Sequence, residues 1–177
     1  VITSPCATCN GKGLVRKSRT KTIPIRAGVD NGNRMRVPGE GDAGARGGHT
    51  GDLYVFINVR EHEYFEREGN DIFCEVPISA AKAAIGGKIT VKTLNGEEEI
   101  TLAEGTQPGT RHRLRDKGIP DINGRGRGDQ IVIVEVKIPT KLSMEQKIML
   151  QKFAESTGET IDIPEEMGFF SRIFNKS

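Results

Sequence analysis

No stretch of the 177 residues approaches the roughly 18–20 consecutive apolar residues that span a bilayer, and the first residues carry no apolar signal-peptide core. A chain that works in water is expected. Charge excess is also missing: 26 basic against 24 acidic side chains leave a formal +2, too little for bulk electrostatics to hold nucleic acid or an anionic membrane. Cysteine is scarce and odd in number, at Cys6, Cys9 and Cys74. That argues against a secreted disulfide scaffold and for a reducing compartment, the cytoplasm by default. Aromatic residues make up 5% and tryptophan is absent, so rings to stack on bases are few. What remains, 35% hydrophobic with 28% charged, is a globular mixture large enough for one ordinary domain or two small ones.

Set against itself at an offset of 77, the chain repeats. Residues 23–59 fall on residues 100–136 without a gap, and 11 of 37 positions are identical. Ile23, Arg34, Arg36, Asp52, Val55 and Val59 meet Ile100, Arg111, Arg113, Asp129, Val132 and Val136, and glycines recur between them. Glycine there punctuates turns. Arg34, Arg36 and Arg111, Arg113, Arg115 alternate with less polar residues, the period-2 pattern of a half-buried strand, and LYVFINV and IVIVEV close each copy as further strands. The expected fold class is mainly β: two tandem β-sandwiches related by internal duplication, with short helices.

The first helix is predicted over 77–87, with Ser79 as N-cap and Gly86 as its stop. The second runs from 143 to about 156, opening on a capping box of Ser143 and Gln146, with an apolar side formed by Met144, Ile148, Met149, Leu150, Phe153 and Ala154. Residues 71–99 precede the second copy's shared core with a strand, a helix and another strand, and the first copy has no such lead-in. Either the first unit is built differently, or its lead-in lies upstream of an inserted metal module. The second reading is preferred, because CATCNGKG at 6–13 carries one Cys-x-x-Cys pair where a tetrahedral zinc site needs four ligands.

Other motifs take bland readings. GEGDAG at 39–44 matches a dinucleotide fingerprint, but a loop and a strand follow it instead of a helix N-terminus, and Glu40 and Asp42 repel phosphate. Cys74 shares a strand face with Ile72 and Val76 and reads as a buried, inert thiol. His49, His62 and His112 lack the companions of a hydrolase. The arginines at 111, 113, 115, 125 and 127 read as a solvated face, with glutamates 97–99 close by.

CATCNGKG resembles the last of the four cysteine repeats of the DnaJ family, the zinc-containing J-domain cochaperones. The segment from RAGVDNGNRMRV to LRDKGIP resembles that family's paired client-binding domains, and LSMEQKIMLQKFAE the helix that follows them. The resemblance implies a C-terminal client-binding portion beginning at the last cysteine repeat. Residues 1–13 would be a remnant of the zinc module, 14–68 the first sandwich, 69–140 the second, and 141–177 a helix with a dimerisation tail. It implies no catalysis. Unfolded or misfolded polypeptides would bind by strand addition beside an apolar groove, for delivery to a DnaK-type partner whose J-domain contact is absent from this sequence. The residues expected to bind clients are Ile23, Ile25, Val55 and Ile57. Leu142, Ile148, Phe153, Phe169, Phe170 and Phe174 are expected to form a homodimer. Cys6 and Cys9 would ligate zinc in the full-length parent, with no zinc held by this chain alone. A zinc-ribbon-like nucleic-acid-binding module is the competing expectation; it predicts affinity that falls steeply with salt.

Overall fold

The computed structural model describes residues 6–9, 13–44 and 48–163. In chain order the elements are β1 (Arg34–Val37), β2 (Leu53–Phe56), β3 (Glu66–Glu68), β4 (Asp71–Ser79), α1 (Ala80–Ile85), β5 (Gly87–Thr93), β6 (Gly96–Leu102), β7 (Arg111–Leu114), β8 (Gln130–Lys137) and α2 (Met144–Ser156). They form a hairpin β1-β2, a four-stranded sheet in the order β3-β4-β8-β7, and a hairpin β5-β6. The chain is mainly β, as its alternating patterns predict.

The second unit is the complete one. Alternation along β4 buries Ile72, Cys74 and Ile78, and alternation along β8 buries Gln130, Val132 and Val134. Val91 of β5, Ile100 and Leu102 of β6 and Ala83 of α1 close over Cys74, Ile78, Val132 and Val134 to make one core. Each large aliphatic side chain buried there contributes about 1.5–3 kcal/mol. Gln130 is the polar exception: its amide donates to the Lys92 carbonyl at 2.8 Å and to Cys74 Sγ at 3.3 Å. Ser79 caps α1 by accepting from the Lys82 N–H. The helix starts later than predicted, because Pro77, Ile78 and Ser79 stay in β4 and pair in parallel with Glu135, Val136 and Lys137 of β8.

The duplication holds bond by bond. Met35 faces Val55 and Arg36 faces Tyr54 in the first hairpin, just as His112 faces Val132 and Arg113 faces Ile131 in the second. Gly32 donates to Ile57 and Gly109 to Val134; Gly41 donates to Gly51 and Gly118 to Gly128. Asp52 accepts from Arg36 at 2.6 Å and from the Gly39 N–H at 2.9 Å. Asp129 accepts from Arg113 and from the Asp116 N–H. In both cases the backbone donor, then the arginine, holds the carboxyl below its ordinary value. A lowered folded value means the contribution is fully present above the unfolded carboxylate range and is lost as pH falls below about 4.

One residue ties the two units together. Arg67, on β3, donates to the Val29 carbonyl at 2.7 Å and the Gly28 carbonyl at 3.3 Å, and pairs with Asp30 at 3.4 Å. On its other side Gly28 meets the loop of the second unit so closely that an added Cβ would lie 2.1 Å from the Pro120 carbonyl oxygen. β3 thus belongs to the second unit's sheet, ahead of the boundary expected at 69.

Candidate functional site

The four residues expected to bind clients have exact duplicates: Ile100, Leu102, Val132 and Val134, which are 7%, 2%, 0% and 1% exposed. In the first unit the same positions are open. Ile23, Val55 and Ile57 are half-buried, and Ile25 is 62% exposed. The difference has a structural cause. β8 is flanked by β4 along eight residue pairs, whereas no described strand pairs with the second edge of β2. Nor does a described hairpin partner cover Ile23 and Ile25, which precede β1 in a segment without helix or strand.

Within the first hairpin, the period of two sorts the side chains cleanly. Met35, Val37, Leu53, Val55 and Ile57 are half-buried on one face, and Arg34, Arg36, Tyr54 and Phe56 are exposed on the other. Val55 and Ile57 therefore lie together on an apolar face beside an open strand edge. Such an arrangement can satisfy the apolar side chains and the backbone amides of an extended polypeptide at once. Phe56, at 72% exposed, was not among the expected site residues; its alternation with Val55 is the sequence signal that places it on the opposite face.

Cys6 and Cys9 sit in one turn. Backbone N–H groups of Thr8 and Cys9, with their side chains, lower the Cys6 thiol to about 7. Donors that stabilise a thiolate suit a metal ligand. The two sulfurs make half of a tetrahedral set, and no group of three or more metal-binding side chains occurs among the described residues. Iodoacetamide is expected to alkylate Cys6 at half its maximal rate near pH 7, with thiolate accumulating above that pH. Cys74, whose thiol burial pushes up, is expected to react only on unfolding. Mass-spectrometric site mapping across pH 6–9 checks both.

The remaining motifs take structural roles. His62 Nδ1 accepts from the backbone N–H groups of Tyr64 and Phe65 at 3.1 and 3.3 Å. The 39–44 loop is closed by two backbone bonds, Gly41 donating to Gly51 and Gly51 to Asp42, and the next described element is the strand β2, not a helix. α2 opens on the expected capping box of Ser143 and Gln146. Its apolar side is mostly uncovered: Ala154 is buried and Leu142 half-buried, while Ile148 is exposed and Phe153 is 63% exposed. Phe169, Phe170 and Phe174 lie outside the described residues. No described helix is long and apolar enough to cross a membrane.

Comparison with known proteins agrees with this geometry. The family model for the DnaJ C terminal domain matches residues 6–139. The chain is similar to proteins named Chaperone protein DnaJ: 52% identical over 173 residues in Halothermothrix orenii, covering 98% of this chain and 46% of the relative. For Acetivibrio thermocellus the figures are 46% over 173 residues, 98% and 45%, and for Halalkalibacterium halodurans 45% over 172 residues, 97% and 46%. The chain thus spans less than half the length of these relatives, which are named as chaperones and not as enzymes. With the duplicated hairpins and the cysteine pair falling inside the matched region, the chain belongs to the DnaJ C-terminal domain family.

Proposed function

We propose that this chain binds exposed apolar segments of unfolded polypeptides, as the client-binding part of a cochaperone. The observation that carries this reading is the contrast between Val132 and Val134, sealed in a core, and their duplicates Val55 and Ile57, open beside an unpaired strand edge. A client strand adds to β2 through sequence-blind main-chain hydrogen bonds and inserts alternate side chains toward Val55, Ile57, Ile23 and Ile25. In a longer chain carrying a counterpart of β4, that strand becomes one wall of the groove, and binding is tighter than to residues 1–177 alone. There Cys6 and Cys9 supply two of four zinc ligands, and delivery to a DnaK-type partner requires a J-domain outside this sequence.

The test is suppression of aggregation of a chemically denatured protein diluted into buffer with the chain. Suppression is expected without ATP and with little change between low and moderate salt. No effect at a several-fold excess of chain over client removes the proposal. Binding to single-stranded nucleic acid that falls about one decade per decade of salt for each phosphate neutralised would favour the nucleic-acid reading instead.

The uncovered side of α2 supports self-association through the C-terminal end. Two linked binding faces gain about 10²–10⁴ in avidity on a client long enough to reach both. Ile148→Glu with Phe153→Glu is expected to shift the chain from dimer to monomer in light scattering while the circular-dichroism melt of the second unit is retained.

A further inference from the structure

A cleft of about 710 Å³ opens between the two units. Its apolar lining consists of Val59, Tyr64, Phe65, Ile72, Leu94 and Ile119. Tyr64 and Phe65 meet edge to face with ring centroids 4.8 Å apart, and Leu94, on the turn between β5 and β6, is exposed. The volume is within the range of sites that enclose one or two large side chains.

The rim carries the chemistry that selects among occupants. Asp30, Glu61, Glu63 and Glu66 line it against Arg60 and Arg67, four carboxylates to two guanidiniums, a local charge of −2. Arg67 is already committed to Asp30 and to backbone carbonyls. Glu61, Glu63 and Glu66 make no ion pair among the described residues. An apolar floor inside an unneutralised acidic rim complements an apolar side chain flanked by cations and repels one flanked by carboxylates. On the face at Val55 and Ile57 the hairpin side chains are apolar, and Arg36 on the opposite face is paired with Asp52.

We propose that the inter-unit cleft is a second polypeptide-binding site, which takes an aromatic or large aliphatic side chain of an extended segment whose neighbouring positions are lysine or arginine. The inference rests on the reading that the chain binds unfolded polypeptides, and adds to it a separate location and a charge preference.

Three fluorescein-labelled peptides sharing one apolar core, flanked by lysine, serine or glutamate, are titrated with the 177-residue chain and followed by anisotropy. At low salt the lysine-flanked peptide is expected to bind about 10-fold or more tightly than the glutamate-flanked one, with the gap narrowing as salt is raised. The triple variant Glu61→Gln, Glu63→Gln, Glu66→Gln is expected to close the gap with an unchanged thermal melt. A control with the same charge change elsewhere, Glu145→Gln, Glu155→Gln, Glu159→Gln, is expected to keep it. If no peptide binds the unaltered chain, the polypeptide-binding reading and this site fall together. If peptides bind with no charge preference, or the cleft variant retains the preference, or the remote control loses it equally, the cleft proposal alone is overturned.

Discussion

Val132→Asp is expected to unfold the second unit, whereas the same change at its duplicate, Val55→Asp, leaves that unit's melt in place and weakens polypeptide binding about 10-fold or more. The two positions share a sequence context, a strand and a cross-strand register: Val55 faces Met35 as Val132 faces His112. Only their surroundings differ. Val132 is fully buried in the core between β4, β7 and the β5-β6 hairpin, where its cross-strand neighbour is the half-buried His112. Leaving an unpaired charge there costs about 3–5 kcal/mol, a large share of a small domain's whole stability. Val55 is half-exposed, so a carboxylate placed there stays hydrated and opposes an incoming apolar side chain. Circular dichroism with peptide titration checks the pair. Equal destabilisation by the two substitutions would mean that the Val55 face is core, and the binding site would have to move elsewhere.

A second pair of duplicates separates local backbone strain from the joint between the units. Gly28 and Gly105 occupy the same turn with φ of 89° and 70°, a region costing a side chain about 1–2 kcal/mol. Around Gly105 there is open space; an added Cβ at Gly28 would lie 2.1 Å from the Pro120 carbonyl oxygen and 3.0 Å from the Ile122 nitrogen. Gly105→Ala is therefore expected to lower stability by about 1 kcal/mol and leave the molecule's dimensions unchanged. Gly28→Ala is expected to force the turn off the Pro120–Ile122 loop and pull the Gly28 and Val29 carbonyls from Arg67. Each charge-assisted bond lost costs about 1.5–3 kcal/mol. The expected readout is a larger radius of gyration in small-angle scattering and a melt that splits in two. If Gly28→Ala matches Gly105→Ala in both measurements, the units are not held by this contact.

Self-comparison of the sequence exposes what the copies share, and that part of the fold was legible. The arginine-aspartate pairs, the glycine turns and the strand register all recur at the offset of 77, because identical residues solve identical backbone problems. Capping residues were equally readable: Ser79 and Ser143 carry local signals that a neighbour of any kind leaves intact. What sets the copies apart was not readable in the same way. Arg67 has Met144 as its offset counterpart, so the repeat gives no hint of the junction. Gly28 looks like Gly105 until the Pro120 loop is set against it. For α2 the apolar side was legible from its spacing but its partner was not: nothing among the described residues covers Ile148 or Phe153. The cleft between the units is also nonlocal, drawing Val59, Ile72, Leu94 and Ile119 from four separated stretches.

The parallel pairing of β4 with β8 joins Ile72 to Gln130, while the first hairpin joins Met35 to Val55. As the chain leaves the ribosome, the nearer partners meet early, and β4 must wait for dozens of further residues before its ladder can close. The part whose strand edge stays open is thus the first to take shape, and the part that seals its own interior is the last.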